Sequence, residues 1–571
     1  MTLTGWLLFF LIVQLVHFLG TWKLYVAAGR KAWEAGIPIY NAVVLMQIIN
    51  RPRWWVLLLF IPIVNLIMFP VIWVETARSF GFNKATDTIL VLITLGLYLY
   101  YINYTQKLQH IPDRSRKPRT SVGEWTSSIL FAVVAATLVH TYFMQPFTIP
   151  TSSLEKTLLV GDYLFVSKIH YGARAPITAI ALPMVHDRLP VSGAKSYYSG
   201  LEFPYLRFPG FQDIKHNDIV VFSWPVDEYV DIGPPPTGYM YKPIDKKSNY
   251  VKRCVALPGD SLEIKNGYVH INGKKNDLPD RAKLMFYQTV TSREPLDNTF
   301  LSQFNITEAM RFYTMDKTIW DDERVQAYLK EPGRSYLHEA SRDSTTVEIT
   351  GHIGVDDINK LKMQPNFNKL NVNITEEQAE WIRQEPTTES VEIFSFPKGG
   401  DDLFPNSPNY QWEVNNYGPI YIPKAGATVN IDTESIPFYK RIIEVYEGSE
   451  LGIENVISQE GTQVLLNGEP ITQYTFKQDY YWMMGDNRNN SQDARMWGYV
   501  PFNHVVGKPV FIWMSLDANK SGMSKVRWDR VFTTVGGSGA PVSYFKYFLI
   551  VLGGWFVFSF FRKRKKKKPT K

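Results

Sequence analysis

The sequence predicts a multi-span α-helical membrane anchor joined to a mainly-β extracytoplasmic domain with a long α/β or irregular insertion. Three observations carry that fold class. Five apolar stretches approach the roughly 20 residues that a spanning helix needs. Lys and Arg alternate between the loops that join them. The long segment between the fourth and fifth stretches is made of β-type runs joined by Asn-Gly turns. At 571 residues the chain exceeds one ordinary domain, and its 45% hydrophobic and 20% charged residues exclude wholesale disorder.

The apolar stretches cover about 5–20, 54–74, 88–102, 127–143 and 542–561. The first and third are short and borrow flanking residues; 41–49 is shorter still and reads as interfacial or packed against the bundle. The opening Met1-Thr2-Leu3-Thr4 carries no positive charge and no small-x-small site follows promptly, so the first stretch reads as retained rather than cleaved. Basic residues then set the orientation. The first loop carries Lys23, Arg30, Lys31, Arg51 and Arg53; the next has Arg78 and Lys84; the third has Lys107, Arg114, Arg116, Lys117 and Arg119; eight follow the last stretch. This pattern predicts an N-terminus outside, a C-terminus in the cytoplasm, and residues from about 145 to 541 outside.

The expected organisation is a bundle of about three helices over 1–105, a basic cytoplasmic linker over 106–125 and a helix over 126–144. An extracytoplasmic domain over 145–535 holds the insertion at about 276–415. A hinge over 536–541, a helix over 542–561 and a basic tail over 562–571 complete the chain. The net charge is +7, and the sign reverses without the tail's eight positive residues, so no nucleic-acid partner is expected. The tail reads as a stop-transfer anchor. Cys254 stands alone and the ten histidines form no H-E-x-x-H, which excludes a disulfide, a zinc ribbon or an iron–sulfur cluster within the chain. No metal or cofactor is expected.

In the exported segment, Pro146 and Pro150 stop the fourth helix. Runs over 158–169, 218–224 and 250–257 read as strands, and Asn266-Gly267 and Asn272-Gly273 as hairpin turns; Val464-Leu465-Leu466-Asn467-Gly468 repeats the phrase. Between 276 and 415 the sequence becomes charged and irregular, with a helix-like piece at 376–384. Gly536-Gly537-Ser538-Gly539-Ala540 misses the G-x-S-x-G nucleophile elbow at Ala540 and reads as a linker.

Three polar clusters interrupt the apolar strands: Thr151-Ser152-Ser153-Leu154-Glu155-Lys156, Tyr250-Val251-Lys252-Arg253-Cys254, and Gly485-Asp486-Asn487-Arg488-Asn489-Asn490-Ser491-Gln492-Asp493-Ala494-Arg495. Alternation places Lys252, Cys254 and Ala256 on one face whose small neighbours point to burial. A buried lysine is rare unless paired or functional, because burial favours its neutral form. Read separately, the first cluster makes a turn and the third a polar loop held by Asp–Arg pairs.

In this order, across about 126–165, 217–273 and 464–514, the clusters resemble the type I signal peptidases, membrane-anchored Ser–Lys peptidases that remove signal peptides from exported proteins. The resemblance implies a signal-peptidase-like β-fold and a serine endopeptidase with no cofactor. Ser153 would be the nucleophile and Lys252 its base. Thr151 and the backbone N–H of Ser153 would form the oxyanion hole, Ser491 would orient Lys252, and Asp493 with Arg495 would be a structural ion pair. It further implies signal peptides of exported preproteins as substrates, the lipid bilayer and the secretion machinery as partners, and a place in the cytoplasmic (inner) membrane with the catalytic domain on its outer, periplasmic face.

Leu154 stands where the family usually has methionine, and Lys156 where it has proline; the first hundred residues and the long insertion lie outside the family's usual core. Lys156 also completes an S-x-x-K motif with Ser153, the acylating motif of penicillin-binding proteins, which needs a helix and a K-T-G partner. No K-T-G occurs. A non-enzymatic tethered domain that binds exported chains is the other alternative.

Overall fold

The computed structural model describes residues 3–115, 120–230, 236–329, 336–394 and 403–566. Arg116, Lys117 and Arg119 of the basic linker and Lys567, Lys568 and Lys571 of the tail lie outside the described residues. The chain forms two compact units: Met1–Gln145 with Ser167–Phe211 and Tyr241–Ser248, and Pro146–Val166 with Gln212–Met240 and Asn249–Lys571.

In the first unit, helices pack around Leu24, Tyr25, Val44, Met46, Ile72 and Ile102. The stretch expected as one span over 54–74 is two helices, Trp55–Leu58 and Val64–Ser79. Pro62 supplies no N–H and disfavours helical geometry at Ile61, and Ile63 turns the chain at φ 69°. The 88–102 stretch also breaks, into Ala85–Ile93 and Tyr98–Thr105, bent by 119° where Leu95 and Gly96 take φ of 50° and 85°. Among the described residues, three helices are long and apolar enough to cross a membrane alone: Thr4–Ala27, Ser121–Phe143 and Phe545–Arg562. The bent pair would make a fourth. Near the start of the first helix, Trp6 stacks on Phe203 at 4.4 Å and donates its indole N–H to the Glu202 carbonyl at 3.0 Å.

The second unit is mainly β. An eight-stranded sheet runs in the order Met144–Thr148, Asp162–Ser167, Val505–Ser515, Ile219–Ser223, Asn249–Ala256, Tyr480–Met484 and Val500–Pro501, with Thr533–Thr534 pairing Val505–Ser515. Its central strands are buried on both faces: Val220, Phe222, Cys254, Val255, Trp482 and Met484 are fully enclosed. These strands therefore read as continuous apolar runs rather than strict alternation.

Residues 285–393 fold into a six-stranded antiparallel sheet with its own apolar clusters. Its strands are Met285–Ser292, Ala309–Asp316, Tyr336–Arg342, Thr346–His352, Gln364–Thr375 and Thr388–Ile393. Helix Glu376–Arg383 is capped by Thr375, with Gln378 closing the capping box.

Candidate active site

The three polar clusters meet in the second unit. Ser153 lies in a short turn, Ser152–Leu154, just after the chain leaves Pro150. Lys252 sits in the strand Asn249–Ala256, paired with Val220 of the neighbouring strand. Its Nζ lies 2.6 Å from Ser153 Oγ, and both side chains are buried. A hydrogen bond at that distance serves either protonation state: an ammonium donates to the hydroxyl, and a neutral amine accepts from it. Burial lowers the Lys252 pKa to about 8; the charge of Arg495 assists, while Asp493 and Asp486 oppose. The amine also lies 5.7 Å from the Tyr250 ring centre. Tyr250 stacks on Trp224 and meets the edge of Trp497.

Adjacent strand residues point to opposite faces, so Arg253 turns away from Ser153. Its Nε and Nη2 grip Asp486 at 2.7 and 2.6 Å, both side chains being buried. Asp486 also accepts from Thr157 Oγ1 at 2.7 Å, and Arg253 Nη1 donates to the Asn217 carbonyl at 2.8 Å. Sequence reasoning quoted Arg253 and Asp486 without pairing them. The available signal was a second buried cation beside Lys252, which required an anion.

Asp493 and Arg495 form a second buried bidentate pair, at 2.8 and 2.7 Å. Burial alone would raise the Asp493 pKa, but the Arg495 charge and hydrogen bonds, with the Gly485 N–H, hold it below its ordinary value. The Gly485 N–H donates to Asp493 at 3.0 Å, which fixes the loop next to Ser153 and Lys252. A Cβ at Gly485 would stand 2.3 Å from Ser491 Oγ and 2.6 Å from the Ser153 carbonyl oxygen, so only glycine lets these elements approach. Ser491 thus lies beside the Ser152–Leu154 turn, but its hydroxyl donates to the Gln492 carbonyl at 3.5 Å rather than to Lys252. Asn487, which sequence reasoning gave no role, donates its backbone N–H to the Ser153 carbonyl and its side-chain amide to the Ser152 carbonyl, both at 3.1 Å.

Thr151 is exposed and extended just before the turn, and its hydroxyl makes no capping bond there. Lys156 takes φ 65°, a conformation closed to proline. It follows a single turn, so Ser153 and Lys156 do not share a helix face as the S-x-x-K motif requires. Cys254 is wholly enclosed and burial raises its pKa, so it acts as a small core residue. Among the described residues no cluster of three His, Cys, Asp or Glu side chains could hold a metal.

A family model described as Signal peptidase, peptidase S26, matches residues 122–323 and 422–514. A second, described as a family of unknown function, matches residues 33–113. A signal peptidase I of Buchnera aphidicola is 22% identical over 390 residues, spanning 68% of this chain and 74% of that protein. A signal peptidase I of Rickettsia canadensis is 28% identical over 172 residues, 29% of this chain and 48% of the relative. For a signal peptidase I of Helicobacter pylori the figures are 38% over 96 residues, 15% and 32%. The signal-peptidase match covers more than half of the chain, across the strands and loops that bring Ser153 to Lys252. The chain belongs to the signal peptidase family, peptidase S26, and is a serine endopeptidase.

Proposed function

We propose that Ser153 is the nucleophile and Lys252 the general base and acid of this signal peptidase. The observation that carries the proposal is the 2.6 Å approach of the two side chains in a buried setting. Neutral Lys252 takes the Ser153 proton as Oγ attacks the scissile carbonyl, and the resulting ammonium returns that proton to the leaving amine. Water, deprotonated by the same amine, then releases the acyl group. With a pKa of about 8 rather than the ordinary 10.5, the neutral fraction at pH 7 rises about 300-fold.

The Ser153 N–H and the Thr151 hydroxyl are assigned to the developing oxyanion, where a donor typically contributes ~3–4 kcal/mol. Ser491, beside the Ser152–Leu154 turn, is assigned to orient the amine. Asp493 and Arg495 act structurally, holding the loop that carries Ser491. The substrates are exported preproteins, with the signal peptide bound as an added strand and small residues before the cut. Comparison of preprotein cleavage by the purified wild type and by Ser153→Ala tests the reading; cleavage retained by folded Ser153→Ala would refute it.

The same reading places the catalytic unit outside the cytoplasmic membrane, with the bilayer and the secretion machinery as partners and with the tail and basic linker inside. The basic residues over 23–119 and in the tail support it, since the three helices long enough to cross alone put both on the side opposite 145–541. So does the packing of Trp6, near the N-terminal end of the first helix, against Glu202 and Phe203. Native Cys254 is buried, so introduced thiols are readable against it. In intact cells an impermeant maleimide should label Asn359→Cys, at an exposed position of the short helix Val355–Lys360 between two strands of the inserted sheet, and leave Thr570→Cys in the tail unlabelled. The reverse pattern would invert the topology.

A further inference from the structure

The inserted sheet is tied to the loop that holds the nucleophile turn. At its entry the Met285 N–H donates to the Asp486 carbonyl, and the Arg488 N–H to the Met285 carbonyl, both at 2.9 Å. The Tyr287 N–H donates to Asn489 Oδ1 at 3.0 Å. These bonds fix backbone to loop, yet they leave Asn490 unaccounted for. Its amide Nδ2 donates to Ser152 Oγ at 3.2 Å, directly beside Ser153, and to Glu308 Oε2 at 3.2 Å and Oε1 at 3.4 Å.

Glu308 immediately precedes the strand Ala309–Asp316, within the inserted sheet. Its carboxylate is held from both sides, by Tyr287 Oη at 2.5 Å and Asn373 Nδ2 at 2.9 Å. Asn373 Nδ2 also reaches Asn487 Oδ1 at 2.9 Å, and Asn487 donates to the carbonyls of Ser152 and Ser153. One carboxylate on the insertion therefore reaches Ser152 through Asn490, and reaches the Ser152 and Ser153 carbonyls through Asn373 and then Asn487. A carboxylate only accepts, and an amide Nδ2 only donates. The direction of the Asn490 amide is thereby set: Nδ2 faces Glu308 and Ser152.

We propose that Glu308 is a positioning residue of the active site, which acts through Asn490 on Ser152 and so on the placement of Ser153. The inserted sheet then belongs to the catalytic apparatus and is not an appended module. The proposal rests on Ser153 being the nucleophile. On this reading neither Glu308 nor Asn490 contacts the substrate, so loss of their bond lowers kcat and leaves KM in place. Two groups that act through one hydrogen bond are also non-additive.

The test measures kcat and KM for preprotein cleavage, normalised to folded protein, in Glu308→Gln, Asn490→Ala and the double variant of the full chain. Glutamine retains the size of Glu308 and one acceptor oxygen. Each single variant should lose about tenfold in kcat with KM within twofold, and the double variant should be no slower than the worse single. Losses that multiply, an unchanged kcat in either folded single variant, or a change confined to KM would overturn the proposal. If Glu308→Gln fails to fold, Asn490→Ala decides alone: a folded variant with wild-type kcat overturns it. Ser153→Ala, measured alongside, separates the readings, since its retained cleavage would remove the nucleophile assignment whatever the coupling between Glu308 and Asn490.

Discussion

Lys252→Ala is expected to lower preprotein cleavage by about 10³-fold or more while the protein remains folded, because members of a catalytic unit typically fail together. Lys252→Arg should fail as fully, since a guanidinium stays protonated and cannot accept the Ser153 proton. Lys156→Ala should remain within a few-fold of wild type. That lysine stands in a left-handed turn beyond Ser153, and the hydrogen bond to Ser153 Oγ comes from Lys252 instead. The measurement is initial rate for the three variants, with folding checked by circular dichroism. An active Lys252→Ala beside an inactive Lys156→Ala would restore the S-x-x-K alternative.

The second large effect is on stability. Asp486→Ala should cost about 3–5 kcal/mol, because it leaves the Arg253 guanidinium buried without its bidentate partner. That is a substantial part of the roughly 5–15 kcal/mol that holds a domain folded. Asp486→Asn should also destabilise, since an amide retains hydrogen bonds but not the opposing charge. Replacing both residues with leucine should cost less than the two single losses together, as neither charge then remains unpaired. Denaturant unfolding of the wild type, the two Asp486 variants, Arg253→Leu, Asp486→Leu and the double leucine variant gives the comparison, and additive losses across the leucine cycle would show that the pair is not energetically coupled.

Much of the site was legible because its residues violate their surroundings. Ser153, Lys252 and Asp493 with Arg495 are polar groups in otherwise apolar runs, and their order along the chain carried the family resemblance. The hairpins were legible for a similar reason: Asn266-Gly267, Asn272-Gly273 and Asn467-Gly468 all adopt the positive φ pairs that their residue types favour.

What stayed hidden depended on long-range pairing or on exceptions to patterning. Arg253 and Asp486 are separated by 233 positions, and only the sheet register brings them together. The six-stranded sheet over 285–393 looked irregular because Gln288, Asn371 and Asn373 occupy buried strand positions where apolar residues would have marked the period. In the N-terminal region, apolar length suggested spans over 54–74 and 88–102, but Pro62 and the Leu95-Gly96 turn divide both. Hydropathy alone does not register such breaks.

The dependence of kcat/KM on pH for the wild type tests most directly that Lys252 acts as a neutral amine on Ser153. Burial lowers the Lys252 pKa, so the competent form is scarce below about pH 8 and dominant above it. The rate should therefore rise about tenfold per pH unit on the acid side and level off through an apparent pKa near 8. A rate that is flat from pH 6 to 9, or one that continues to rise towards the pKa of a free lysine near 10.4, would contradict the account.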